Sequence, residues 1–172
     1  MLIIVTGNGK GKTTSALGQA LRAVGEYKRA IMFQFIKGPW VSGEDRSAER
    51  LKPDFEIVKG GKGFVGILGD TLPREEHEKA AENTWKKVTD AVKSRVYDLV
   101  IADELNVALH LNLLPLEPVL MFLKEHKDTL DIMVTGRDAK EEIVELADLV
   151  SEVKEIKHPF NKGEVARRGI EY

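Results

Sequence analysis

LIIVTGNGKGKTT, residues 2–14, joins two different kinds of sequence. Residues 2–5 form a continuous apolar, β-branched run, which reads as a strand buried on both faces. Residues 12–24 place apolar side chains at Leu17, Leu21 and Val24, a helical spacing, and Gly25 supplies a stop. Between strand and helix sits Gly7-Asn8-Gly9-Lys10-Gly11-Lys12-Thr13-Thr14. Glycines there let successive backbone N–H groups turn inward and approach phosphate oxygens. The start of the helix adds the positive end of a dipole. Lys12 supplies a point charge, and the Thr13 hydroxyl is a ligand for Mg2+ (or Mn2+). The segment therefore reads as a phosphate-binding loop for a nucleotide. Its spacing departs from G-x-x-x-x-G-K-[ST] in one respect: the position of the first glycine is Thr6, so the loop is one residue short. A shorter loop holds a polyphosphate in a different pose.

Working outward, apolar runs alternate with helical patterns. Strands are expected at 30–36, 55–58, 97–102 and 131–135, and a last extended run at 150–156. Helices are expected over 74–94, with Ala81, Trp85, Val88 and Val92 on one face, and over 116–126. Asp138 reads as an N-cap with Glu141 three residues on, opening a helix whose face carries Ala139, Ile143, Leu146 and Val150. Residues 37–44 and the stretch 60–69, which has five glycines, read as loops. Alternating strands and helices predict an α/β fold, a mostly parallel sheet with helices on both faces, of the P-loop NTPase (RecA-like) kind. Residues 1–172 read as one domain, with a polar tail from about 157 to 172 wrapping its surface.

The C-terminal ends of parallel strands are where such sheets bind ligands. Asp103-Glu104 follows the strand YDLVIA, so one of the two carboxylates can hold the metal directly or through water. The alternative for the pair is a helix N-cap and a first-turn acid. Arg137 ends the next strand and can neutralise phosphate charge from the same crevice, or lie at a surface turn. No Ser/His/Asp or Cys/His set and no kinase catalytic loop is recognisable. A general base is unnecessary if the attacking species is already a strong nucleophile.

Composition narrows the remaining classes. Net charge is −2 and aromatics are 6%, against a nucleic-acid binder. The absence of cysteine excludes disulfides and thiolate metal sites and fits a reducing cytoplasm. The apolar run 119–123 has only five residues, so no membrane span is expected.

Several segments together resemble one family, the P-loop class of ATP:corrinoid (cob(I)alamin) adenosyltransferases. They are TGNGKGKTT (6–14), QFIKGPW and GE (34–44), GKGF (61–64), DLVIADE (98–104), VTGR (134–137), ADLVSE (147–152), KHPFNKG (157–163) and GIEY (169–172), in order from end to end. The resemblance implies that cobalt(I) of a corrinoid attacks the 5′ carbon of ATP and that inorganic triphosphate leaves. It implies ATP held in reverse in the shortened loop, with Lys12 on the triphosphate and Thr13 and Glu104 on the metal. It also implies a flavoprotein reductant, a homodimer, and an aromatic wedge against the lower face of the corrinoid. Phe64 matches the wedge Phe, while Gly66 stands where relatives carry a Trp. Trp40 and His158 match family positions in the walls of the corrinoid or adenosine pocket. Many relatives carry an N-terminal lid ahead of the first strand, with which this sequence begins. The competing readings are a small P-loop kinase or ATPase, which would release ADP, and a nucleotide-dependent regulator without useful turnover.

Overall fold

Period-2 alternation along the strands divides the core into two layers. The computed structural model describes residues 1–67 and 69–171. Leu68 of the glycine-rich stretch and Tyr172 of GIEY lie outside the described residues. Strands β1 (Leu2–Thr6), β2 (Ala30–Gln34), β3 (Phe55–Lys59), β4 (Leu99–Asp103), β5 (Asp131–Thr135) and β6 (Leu149–Glu152) form one sheet in the order β3-β2-β4-β5-β1-β6. Every pairing is parallel. Successive side chains of a strand point to opposite faces. Ile31, Phe33, Val100, Ala102, Ile132 and Val134 therefore pack into one cluster. Ala30, Met32, Leu99, Ile101 and Met133 pack into the other.

Helices α1 (Lys12–Gly25) and α2 (Gly43–Leu51) cover the second cluster. Helices α3 (Arg74–Ser94), α4 (Leu105–His110), α5 (Leu116–His126) and α6 (Glu141–Leu146) cover the first. Buried Ala16, Ala20 and Ala23 form the sheet-facing stripe of α1, whereas Leu21 is 58% exposed. The apolar residues that signalled this helix thus lie beside its buried face. Small side chains let α1 settle close on the sheet, which holds its N-terminus at the end of β1.

Four local expectations change. Residues 43–44 begin α2 rather than ending a loop; the Ser42 N–H and hydroxyl both donate to the Asp45 carboxylate, which fixes the start of that helix. Helix α4 starts directly after Glu104, so the acidic pair does open a helix, with Glu104 at the N-cap rather than in the first turn. Helix α6 starts at Glu141 behind Lys140, and Asp138 stands at φ 55, so it is no N-cap. The left-handed turn at Asp138 uses up the residues that the capping pattern assigned to the helix. Val150 belongs to β6, and the chain beyond Glu152 leaves the sheet. The helices at 74–94 and 116–126 and the strand at 131–135 stand as the periodicity predicts.

All strands run the same way, so one edge of the sheet collects their C-terminal residues. Gln34 registers with Lys59 and Asp103, and Thr6 with Glu152. Buried polar side chains gather at this edge: Gln34, Asp103, Asn106 and Thr135 are each completely inaccessible. No helix among the described residues is long and apolar enough to cross a membrane.

Candidate functional site

A cleft of about 890 Å³ opens above this edge. Residues 8–14 line it, with Lys37, Glu44, Glu104, Arg137 and His158. The loop between β1 and α1 owes its shape to contacts beneath it. The Gly9 N–H donates to the Val153 carbonyl at 2.7 Å, and the Val153 N–H to the Thr6 carbonyl at 2.8 Å. A Cβ on Gly9 would stand 2.7 Å from the Lys154 carbonyl, and one on Gly7, at φ +95, would stand 2.5 Å from the Val153 carbonyl. Glycine at both positions lets the loop lie directly on the strand exit after β6. Gly11, at φ 125, is the N-cap of α1, and its carbonyl accepts the Ser15 N–H at 2.7 Å.

Lys12 folds back over the loop and donates to the Gly9 carbonyl at 2.7 Å. Burial, then Arg137, hold its ammonium below the ordinary lysine range; Glu104, Asp103 and Asp138 pull the other way. Lysine and arginine charges thus meet in the cleft that the glycine loop lines, which suits a polyanion.

The structure divides the Asp103-Glu104 pair. Asp103 is fully buried and does not line the cleft. One of its oxygens accepts from the Thr135 hydroxyl at 2.7 Å and the other from the Gln34 amide at 3.2 Å. Each Asp103 oxygen thus accepts one hydrogen bond from a neighbouring strand, and the carboxylate stands behind the cleft wall rather than in it. Glu104 sits at the N-cap of α4 with φ 64, and its carboxylate accepts no hydrogen bond among the described residues. Burial, then the Asp103 charge, push its carboxyl above the usual range, while Lys37, Lys12 and Arg137 draw it down. A poorly solvated, unpaired carboxylate in the same cleft as the Thr13 hydroxyl gives the oxygen donors that Mg2+ prefers, with substrate phosphates able to complete the shell. Among the described residues no group of three or more His, Cys, Asp or Glu converges as a metal site. The residues present therefore fit a metal carried in on a polyphosphate.

Lys37 and Glu44 face each other in the cleft, with Nζ to Oε1 at 2.5 Å. Burial pushes the Glu44 carboxyl up, but the Lys37 hydrogen bond and charge outweigh it and hold Glu44 low. Sequence reading assigned neither residue a role. Lys37 lies inside the quoted QFIKGPW segment, but its proximity to Glu104 arises from the fold.

Trp40 and Phe64 do not line this cleft. The Trp40 ring lies against Gly38 and Gly63, so it abuts the GKGF segment, and both aromatics are at least half exposed. Lys59 pins this region, donating to the Trp40 carbonyl and pairing with Asp45 at 2.6 Å. His158 is brought to the phosphate loop by the tail; its Nδ1 accepts the Phe160 N–H at 3.2 Å. Phe160, Asn161 and 169–171 also line the cleft and form one side of the site.

Known proteins of similar sequence point to one family. The model of the family described as "ATP:corrinoid adenosyltransferase BtuR/CobO/CobP" matches residues 1–172. The corrinoid adenosyltransferase of Escherichia coli (strain K12) is 38% identical over 172 residues, spanning 100% of this chain and 85% of that protein. Corrinoid adenosyltransferase CobA of Salmonella typhimurium (strain LT2) is 37% identical with the same coverage. Among solved structures, the flagellar accessory protein FlaH of Methanocaldococcus jannaschii superposes with a TM-score of 0.55 at 12% identity, over 88% of this chain and 70% of that one. A KaiC-like protein of Pyrococcus horikoshii OT3 gives 0.52 at 14% identity, over 91% and 73%. At such identities these neighbours speak only for the fold, a P-loop NTPase-like α/β sheet. The sequence relatives favour adenosyl transfer over the kinase and regulator readings. The chain belongs to the ATP:corrinoid adenosyltransferase family.

Proposed function

We propose that the cleft holds ATP with its triphosphate in the loop 7–14 and its 5′ carbon presented to the corrinoid. As a corrinoid adenosyltransferase, the enzyme joins C5′ of ATP to cobalt(I): the cobalt electron pair forms the Co–C bond, and the C5′–O pair departs with inorganic triphosphate. The observation that carries the site assignment is the convergence of the glycine loop, Lys12, Arg137 and the unpaired Glu104 in one cleft. Gly7, Asn8, Gly9, Lys10, Gly11 and Thr14 shape or supply the phosphate cradle. Lys12 and Arg137 bind the triphosphate and stabilise it further as charge grows on the leaving group, and only that increase speeds the reaction. Thr13 and Glu104 hold Mg2+ (or Mn2+), with Asp103 behind them through Thr135. The metal, when bound, neutralises triphosphate charge. His158 closes the nucleoside side.

The corrinoid belongs on the Trp40 and Phe64 side, where Phe64 excludes a ligand from the lower face. With Gly66 in the second wedge position, Trp40, whose ring lies against Gly63, supplies the aromatic support. A flavoprotein reductant and a homodimer, on the strength of the family resemblance, and a cytoplasmic setting, which the absence of cysteine fits, complete this reading. Phe64→Ala tests the corrinoid side: the reaction starting from cobalt(II) and a reductant falls more than the reaction supplied with chemically reduced cobalt(I). Equal losses in both assays would remove the wedge.

A further inference from the structure

The Glu104 backbone stands in the left-handed region, at φ 64 and ψ 21, where a residue with a Cβ rarely rests. Such a conformation persists only where its surroundings over-determine it. Its carbonyl accepts the Ala108 N–H at 3.1 Å, as the first turn of α4 requires. Its own N–H points the other way and donates to the Thr135 hydroxyl at 3.0 Å. That hydroxyl in turn donates to Asp103 at 2.7 Å. Thr135 is wholly buried, so its one hydroxyl hydrogen is committed to Asp103 and its lone pair to Glu104. Gln34 closes the opposite side of Asp103 at 3.2 Å. Behind Thr135, Gly136 at φ +130 packs against the start of α4, with a Cβ there only 3.0 Å from Asn106 Cβ and from the Val107 nitrogen. The peptide on either side of Glu104 is thus fixed, and the remaining direction for its side chain is the cleft.

We propose that Thr135 is a positioning residue for the metal: its hydroxyl, clamped between Asp103 and the Glu104 N–H, holds Glu104 in the turn that aims its carboxylate at the phosphates. This inference rests on the reading that Glu104 holds the metal. Thr135 touches neither substrate nor metal; it acts through the geometry of Glu104, as an outer-shell partner orients a ligand. The Asp103-Glu104 pair is therefore one ligand and one strut, with Thr135 the joint between them.

The test measures Mn2+ affinity of the ATP-bound protein by the EPR signal of free Mn2+, with thermal unfolding as a control for folding. Thr135→Val keeps the shape and removes the hydroxyl; it is expected to weaken Mn2+ binding by about 10-fold or more. Thr135→Ser restores the hydroxyl and is expected to bind Mn2+ close to the parent. In the Glu104→Gln background, Thr135→Val is expected to add no further loss, because the group it orients is gone. Thr135→Ala also lacks the clamp and serves if the valine variant does not fold. A folded valine or alanine variant with parental Mn2+ affinity, while Glu104→Gln is weakened, overturns the role of Thr135. Parental affinity in Glu104→Gln overturns the reading of Glu104 itself, and the two failures are thereby told apart.

Discussion

Glu104 is held in a place that disfavours its charge, which ties stability to pH. Its folded carboxyl titrates above the ordinary glutamate value, first through burial and then through Asp103. Below the unfolded value of about 4.3 both states are protonated and no difference arises. As pH rises through the raised folded value, the unfolded chain ionises freely while the folded one must bury the charge. The charge therefore destabilises the fold at neutral and alkaline pH. Glu104→Gln is expected to raise Tm there and to lose that advantage below about pH 4, while metal binding falls. A variant less stable than the parent at neutral pH would contradict the assignment of an unpaired, desolvated carboxylate. Lys12 belongs to the same scale: Lys12→Ala is expected to lower turnover by about 10²–10³-fold, the range seen for a single lost charge-stabilising donor, with Tm little changed. Near-normal turnover would take Lys12 out of the phosphate cradle. Lys12 and Thr13 were legible because a linear motif carries them. Thr135, Lys37 and Glu44 were not, because their neighbours lie on other strands and helices, and no spacing along the chain encodes that approach.

At the scale of elements, the phosphate loop is only as firm as the strand exit beneath it. Gly9→Ala would push a methyl to within 2.7 Å of the Lys154 carbonyl, and backbone cannot yield as a side chain does. A cost of about 1–3 kcal/mol is expected by chemical denaturation, together with weaker ATP binding. Unchanged denaturation and binding would show that the loop does not rest on 153–154. The region after β2 is held differently. Asp45 takes both Ser42 donors and the Lys59 ammonium, so Asp45→Ala is expected to cost about 0.5–2 kcal/mol and to loosen the segment that carries Trp40. Unaltered stability in that variant would mean the cap is dispensable. The long helices were legible from periodicity. Helix α2 was not: in GEDRSAERL only Ala48 and Leu51 are apolar, too few to show a face. Helix α4 has six residues, shorter than any window that reveals a period. In α1 the leucines marked the helix, yet alanines face the sheet, because close approach to the strands favours small side chains.

For the whole molecule, parallel pairing is what makes a site possible. It gathers the ends of β1, β4 and β5 on one edge, so a glycine loop, an acidic pair and Thr135-Gly136-Arg137 meet although they are far apart in sequence. The strand pattern made this edge legible in advance. The tail closing one side of the cleft was not, since its polar composition shows exposure but not what it crosses. On the proposed reading this cleft breaks ATP at C5′ rather than at the terminal phosphate. The most direct test is product analysis after anaerobic incubation with Mg-ATP and chemically reduced cob(I)alamin. Light-sensitive adenosylcobalamin and inorganic triphosphate are expected in equal amounts. ADP and orthophosphate, with no cobalt–carbon bond formed, would contradict that reading.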